Sequence, residues 1–268
     1  MNPMIRKEVR QRMREKRGWL LPSLYLLALG AVVVFAYFIA TVDRGMAEVQ
    51  GAQIGVALFL TVAFAQLALL LLLAPVFSSG ALTIEKEQRT LAGLLTSLLT
   101  TGQIWWGKFA ASLLFVVLLL VTSLPIMSLA FAFGGVGPWE IFIVSATTII
   151  ILAAMSAIGL YWSSVFRRSM HAIAVGYGTV IALCVVTAIV FFVRLSFHEK
   201  ANAGAWEAIP LNIRAPIYAN PFFFLLMSLA PAKQLYPDWV ACCAIFVSAA
   251  IVAVLFAVRN LRRSGEVA

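Results

Sequence analysis

Six long apolar segments decide what this chain can fold into. Each contains 20 or more consecutive residues without Asp, Glu, Lys or Arg, and they lie at residues 19–40, 54–77, 109–133, 141–166, 171–193 and 239–258. An α-helix of about 20 residues crosses the ~30 Å hydrocarbon core of a bilayer, and inside lipid it satisfies its own backbone hydrogen bonds. The sequence therefore predicts an all-α integral membrane protein with six transmembrane helices.

The composition agrees with a single membrane domain over residues 1–268. Charged residues make up 12% of the chain, whereas soluble domains carry about 25%. The net charge of +9 would suggest nucleic-acid binding in a soluble protein, but seven of the 20 Lys and Arg fall within residues 1–18, beside the first apolar segment. The three cysteines have neither CxxC spacing nor a nearby histidine. We therefore expect no nucleic-acid partner and no metal site.

The distribution of Lys and Arg predicts how the helices are oriented. With residues 1–18 in the cytoplasm, the cytoplasmic pieces hold 15 Lys and Arg and the outer pieces hold five. Cytoplasmic loops of membrane proteins are enriched in these residues. We expect both termini in the cytoplasm of a multi-pass protein of the plasma or inner membrane.

Two segments outside the spans have patterns of their own. In residues 1–18, Ile5, Val9 and Met13 share one helical face and arginines cover much of the rest, which is typical of an amphipathic helix at the membrane surface. A simple basic anchor for the first span would have the same pattern, and both can be true. The outer connection, residues 194–238, contains NPFFFLLMSLAP, which is too short to span and fits a re-entrant or interfacial segment.

Residues 102–109, GQIWWGKF, come close to the phosphate-binding loop G-x-x-x-x-G-K-[ST]. That loop ends in Ser or Thr, whose hydroxyl holds Mg²⁺, and it follows a buried strand. Here Phe109 takes the hydroxyl position, Trp105 and Trp106 crowd the loop, and apolar helical segments flank it. We do not expect this stretch to bind ATP.

The region between the second and third spans, residues 84–104, is longer and more patterned than a connector needs to be. Its head, EKEQRT, is strongly charged, and the leucines that follow have the i, i+3, i+4, i+7 spacing of one helical face. A charged helix end joined to an apolar stripe fits an interface, with the charged end in the cytosol, where a protein could bind it. The alternative is a solvated loop that only joins two helices.

These residues resemble the signature region of the type-2 permeases of ATP-binding-cassette (ABC) transporters. In that family E-x-E-x-[RK]-T leads into L-x-x-L-L, then into a break that often contains Pro, then into I-x-x-G-K at the third span. Here the stretches are EKEQRT, LAGLL and IWWGK, and at the break we expect Gly102 to make the turn. The opening NPMIRKEVRQRMREKR resembles the family's N-terminal connecting helix, and the six-span layout is similar throughout.

The resemblance implies a non-enzymatic permease subunit of an exporter. ATP and Mg²⁺ would belong to a separate cytosolic ABC ATPase, and this chain would need no cofactor of its own. A second permease copy or a sister permease would complete the pathway within the membrane lipid. Residues 84–104 would form a cytoplasmic coupling helix that passes the movement of the ATPase to the spans.

The resemblance also implies a coupling interface. Its residues are Glu85, Lys86, Glu87, Arg89, Thr90, Leu94, Gly107 and Lys108. Gly107 would let the chain turn into the third span, and Lys108 would extend towards headgroups or cytosol. Trp105 and Trp106 would join the interfacial aromatic belt. Ordinary membrane anchoring explains these last four residues as well.

Inside the spans, Gln66 is the most polar residue in the middle of the second segment. It either packs between helices or lines a pathway. Ala174 and Gly178 have the small-x-x-x-small spacing that permits close helix contact. Two other functions stay open: a stand-alone channel, which would need more polar pore residues than the spans offer, and a membrane enzyme, for which no reactive constellation is visible. The sequence does not identify a substrate.

Overall fold

The computed structural model describes residues 17–42, 51–89, 100–197, 210–229 and 236–266. Within these ranges the chain forms helices joined by turns, without a β-strand, and six of the helices are long and apolar enough to cross a membrane. The six are α1 (Arg17–Val42), α2 (Gly51–Ser79), α4 (Thr101–Phe133), α5 (Pro138–Val165), α6 (Ser169–Ser196) and α9 (Tyr236–Glu266). Between them lie α3 (Thr83–Glu87), α7 (Leu211–Arg214), a 3₁₀ helix (Ala215–Ala219) and α8 (Pro221–Leu229).

The prediction of six transmembrane helices is confirmed in number and order. Some predictions fall on residues outside the described ranges. Most of the amphipathic segment at residues 1–18 does so, as do Thr90, Leu94 and the other leucines of the predicted stripe. Of the predicted coupling region, the structure therefore describes the charged head in α3 and the stretch that leads into the third span.

The third span begins earlier than the apolar pattern suggests, because a side-chain cap starts it. The Oγ1 atom of Thr100 accepts a hydrogen bond from the backbone N–H of Gln103 (3.3 Å), and the Oε1 atom of Gln103 accepts one from the N–H of Thr100 (3.0 Å). This reciprocal capping box satisfies two backbone donors that a helix start leaves open. The predictions that the chain turns at Gly102 and at Gly107 are therefore wrong, since both residues lie inside α4.

The six spans differ in how deeply they are packed. Helix α5 lies at the centre, against α2, α4, α6 and α9. Of the residues in an apolar 18-residue stretch of α5, 50% are buried. In the corresponding stretches of α1 and α6, only 11% of the residues are buried. These two helices present most of their apolar side chains to whatever surrounds the bundle.

At the end of the bundle where α3 lies, α2, α5 and α6 approach one another closely. A Cβ atom at Gly159 of α5 would lie 2.9 Å from the Cβ of Ser78, and one at Gly176 of α6 would lie 3.3 Å from the Cβ of Ser79. The small residues that α6 buries are Ala172 and Gly176. The predicted contact through Ala174 and Gly178 is wrong: these residues are exposed on the other side of the helix, and spacing alone does not distinguish the two pairs.

The described part of the connection between α6 and α9, residues 210–229, contacts the side of α6. A guanidinium nitrogen of Arg194 donates to the carbonyl of Asn212 (2.6 Å), and Nδ2 of Asn220 donates to the carbonyl of Cys184 (2.8 Å). Ten residues of α6 separate these two levels, which is roughly 15 Å at 1.5 Å per residue. Helix α8 then packs inward, with Phe224 stacked on Phe246 at 5.2 Å. This depth is what a re-entrant segment requires, and its position relative to lipid stays a prediction.

The close approach of α2 and α5 generates a stability prediction. We expect Gly159→Ala to destabilise the protein by about 1–3 kcal/mol, because the new methyl group would overlap Ser78 and the helices would have to separate. Thermal unfolding in detergent measures the effect. Gly178→Ala is the matched control, since a Cβ there meets nothing within 4 Å. Equal melting temperatures for the two variants would contradict the packing described.

Candidate functional site

The charged residues of α3 bind three other helices of the same chain. We call this group the polar clasp: Glu85, Lys86, Glu87, Lys108, Ser163 and Ser169. The sequence predicts that the charged head faces the cytosol, where a partner protein binds it. The structure joins Glu85 to α4, Lys86 to the end of α5 and Glu87 to the start of α6, and the binding of a partner stays a prediction.

Lys86 holds the carboxyl end of α5. Its Nζ atom donates to the backbone carbonyls of Ser163 (3.0 Å), Ser164 (2.6 Å) and Phe166 (3.0 Å). The last carbonyls of a helix have no partner within the helix, and the helix dipole makes this end negative. One ammonium group therefore satisfies three open acceptors and places a positive charge where the dipole favours it.

Glu87 does the opposite at the amino end of α6. Its two carboxylate oxygens accept from the backbone N–H of Ser169 (2.7 Å) and from the hydroxyl of Ser169 (2.9 Å). The amino end of a helix is positive and carries unpaired N–H groups, so a carboxylate stabilises it. Two consecutive residues of α3 thus fix both sides of the turn between α5 and α6.

The clasp also caps α3 itself from a distance. Leu82, which precedes the helix, has no side chain that could cap it. Instead, Oγ of Ser163 in α5 accepts from the backbone N–H groups of Leu82 (2.8 Å) and Thr83 (3.0 Å). Ser163 lies 80 residues away from Thr83 in the sequence, so sequence analysis did not identify it, nor did it identify Ser169.

Glu85 and Lys108 form an ion pair across α3 and α4. The Nζ of Lys108 lies 3.1 Å from Oε1 of Glu85, and the two side chains are 3% and 23% exposed. The prediction that Lys108 extends towards headgroups or cytosol is therefore wrong. Because α4 begins at Thr101, Lys108 lies about two turns inside the helix and faces α3.

An apolar cluster lies next to the clasp and joins the turn that precedes α3 to α4, α5 and α9. It includes Leu82, Ile104, Trp105, Leu160, Ala257 and Leu261. Trp105 is fully buried and stacks on Phe109 at 5.0 Å. The prediction that it joins an interfacial aromatic belt is therefore wrong. Trp106 is exposed, as a belt residue would be.

The side of α3 that faces away from the clasp is open. Ile84, Gln88 and Arg89 are exposed there, and the sequence analysis had selected Arg89 alone among them. Arg89 has φ +56°, which within the described residues no other non-glycine residue shares. This left-handed conformation usually belongs to glycine at a helix end and costs a longer side chain about 1–2 kcal/mol. Strained backbone of this kind is concentrated at functional positions.

The near-match to a phosphate-binding loop is helical. Residues 102–108 lie within α4, where the N–H of Ile104 already bonds the carbonyl of Thr100 (3.1 Å). A phosphate loop needs backbone N–H groups that converge on the ligand. Because residues 102–108 are helical, they do not form a phosphate-binding loop.

Gln66 lies in the interior of a single chain. It is 1% exposed, and its amide nitrogen and oxygen have no hydrogen-bond partner within the described residues. Its neighbours along α2 on the buried side, such as Val62, Ala63 and Leu70, are core residues. This placement favours packing over a position on an open pathway.

The chain matches a family model described as "ABC-2 family transporter protein" over residues 3–264. The match includes α1 to α8, the polar clasp and α9 up to residue 264. No curated protein matches the chain.

The ion pair of the clasp generates a second prediction. We expect Glu85→Gln to lower the free energy of unfolding by roughly 2–4 kcal/mol, because the buried ammonium of Lys108 loses its opposite charge. The double variant Glu85→Gln with Lys108→Met should recover most of this loss. Thermal unfolding of Glu85→Gln, Lys108→Met and the double variant tests the coupling. A double variant whose loss equals the sum of the two single losses would contradict it.

A third prediction concerns Gln66. We expect Gln66→Met to raise the free energy of unfolding by about 1–3 kcal/mol, because an apolar side chain of similar size removes a buried amide without partners. The melting temperature in detergent measures this, with Gln103→Met at the α4 cap as a control that should lower it. A lower melting temperature for Gln66→Met would mean that the amide is bonded.

Proposed function

The chain belongs to the ABC-2 family of transporter proteins and is a multi-pass membrane permease, and on that premise we propose that it is the permease subunit of an exporter driven by a separate cytosolic ATPase. The ATPase binds ATP and Mg²⁺, and this chain carries neither. The permease acts with a second copy of itself or with a sister permease. Both termini lie in the cytoplasm of the plasma or inner membrane, as the distribution of Lys and Arg indicates.

The observation that carries this proposal is the two-sided construction of α3. One side is bound to α4, α5 and α6 through the polar clasp, and the other side exposes Ile84, Gln88 and Arg89. A short helix that is attached to three spans and open on its far side can receive a force from a bound protein and deliver it to the bundle. A segment that only connected α2 to α4 would need neither the bonds of the polar clasp nor an exposed apolar and charged side.

This construction changes which residues contact the ATPase. Glu85 and Lys86 are half-buried and bonded within the chain, and the exposed Glu87 is bonded to Ser169, so we assign these three residues the role of holding the spans. The direct contact belongs to the exposed side of α3, with Arg89 as its charged residue. Thr90 and Leu94 follow Arg89 in the sequence, and we assign them to the same contact.

The remaining parts of the proposal rest on the surfaces of α1 and α6. These helices expose rows of large apolar side chains, including Leu27, Phe35 and Phe38 on α1. Lipid covers such surfaces, and so does a second permease, which would place the pathway between two subunits. A stand-alone channel would instead need a polar passage inside one bundle, and the interior around Gln66 is apolar.

The first test is purification of the tagged full-length chain from its native membrane in mild detergent. We expect a protein with the nucleotide-binding motifs of an ABC ATPase to co-purify in a fixed ratio, together with ATP hydrolysis. A chain that elutes alone under all mild conditions would contradict the proposed function.

The second test uses the conformation of Arg89. Arg89→Gly removes the charge and also relieves the backbone, so the protein should be at least as stable as the wild type. We expect it to bind the ATPase about tenfold or more weakly, since a hydrogen bond to a charged group contributes about 1.5–3 kcal/mol. Arg89→Lys keeps the charge in the same conformation and is the control. Undiminished binding by the glycine variant would remove Arg89 from the interface.

A further inference from the structure

Besides the hydrogen bond from Arg194 to Asn212, helix α6 is attached to the bundle at three levels, and much of its remaining surface is exposed. Only 11% of the residues in its apolar 18-residue stretch are buried. An exposed row along the helix is formed by Ile181, Val185, Ile189 and Phe192. An element with few buried contacts needs little free energy to move. The elements attached to α6 therefore determine which movements reach this helix and which parts of the protein move with it.

The first attachment is to α3. Glu87 accepts two hydrogen bonds from Ser169, the first residue of α6. Lys86 also attaches α3 to α5, and Glu85 attaches it to α4. Those helices are packed more deeply: 50% of the residues in the apolar stretch of α5 are buried, and 39% of those in α4. Because closely packed helices resist displacement, a shift of α3 is passed on most readily to α6.

The second attachment lies about 10 Å further along, seven residues after the first. Gly176 packs against Ser79 and Pro75 of α2, and the hydroxyl of Tyr177 donates to the carbonyl of Leu72 (2.7 Å). This contact holds α6 against α2 at the eighth and ninth of its 28 residues. A displacement of the amino end then tilts α6 about this point, and the longer part beyond it moves in the opposite direction.

The third attachment is Asn220, which joins α6 to the outer segment 210–229. Its Nδ2 donates to the carbonyl of Cys184 (2.8 Å) and to the hydroxyl of Thr187 (3.0 Å). Its Oδ1 accepts from the N–H groups of Phe222 (2.9 Å) and Phe223 (3.3 Å) and so caps α8. One buried side chain thus binds α6 and starts α8.

We propose that α6 transmits movement of α3 to the outer segment 210–229. The positioning residues are Glu87 at the amino end of α6 and Asn220, which bonds Cys184 and Thr187 just beyond the middle of the helix. This proposal rests on the proposed function, because the ATPase supplies the movement of α3. Each nucleotide state of the ATPase then corresponds to a different position of α8 at the opposite end of the bundle.

Hydrogen–deuterium exchange on the full complex with its co-purified ATPase tests the proposal. Deuterium uptake of residues 210–229 is compared between the nucleotide-free complex and the complex trapped with ATP and vanadate. We expect the wild type to show a nucleotide-dependent change in this segment. In Glu87→Ala the change should shrink about fivefold or more, which is the lower end of typical coupling between two sites, while the ATPase stays bound.

Three further variants separate transmission from general damage. Glu87→Gln keeps an acceptor oxygen for Ser169 and should restore part of the response. Asn220→Ser keeps a side chain that caps helices well but is too short to reach Cys184, so α8 should stay folded while the response is lost. Ser196→Ala removes a hydroxyl that bonds within α6 itself, and it should respond as the wild type does.

The outcomes distinguish the two proposals. A wild-type complex that lacks an ATPase, or shows no nucleotide-dependent change at residues 210–229, overturns transmission, and the missing ATPase overturns the proposed function too. Full responses in Glu87→Ala and Asn220→Ser overturn transmission through α6 and leave the proposed function in place. Loss of the ATPase from Glu87→Ala would make Glu87 a partner contact and would also overturn the proposal.

Discussion

The fold at the α3 end depends on a pair of opposite charges placed at two helix ends. Lys86 lies at the carboxyl end of α5 and Glu87 at the amino end of α6, so each charge matches the dipole that it meets. In a bundle surrounded by lipid, the open N–H and C=O groups at a turn need partners from the protein or from interfacial water. Neighbouring residues of one short helix provide them for both sides of the same turn, and this fixes α3 against the bundle.

Further contacts make this attachment specific. Ser163 caps the start of α3, the Glu85–Lys108 pair binds it to α4, and the apolar cluster around Trp105 lies next to it. The same helix leaves its other side exposed. This combination suits the function proposed above, because a loosely attached contact site would move without moving the spans.

The sequence was sufficient for the parts of the structure that lipid dictates. A span must be apolar over its whole length, so the six runs of residues predicted six helices. It was insufficient where tertiary partners decide. Lys108 and the charges of α3 looked solvent-facing because their partners, such as Ser163, lie far away in the chain. Ala174 and Gly178 have the same spacing as Ala172 and Gly176, and in an apolar helix the pattern does not show which face is packed. The start of α4 was readable, since Thr100 and Gln103 form the T-x-x-Q pattern of a capping box.

The three hydrogen bonds of Lys86 have a consequence for how such a chain can diverge. An ammonium group directs three N–H bonds from one atom, and here three carbonyl oxygens surround that atom. Arginine carries the same charge but spreads its donors over a planar fork, which suits two parallel acceptors better than three around a point. Exchange of Lys86 for arginine keeps the charge. At this position, natural variants should avoid it, even though a chemist who compared charges alone would class it as conservative.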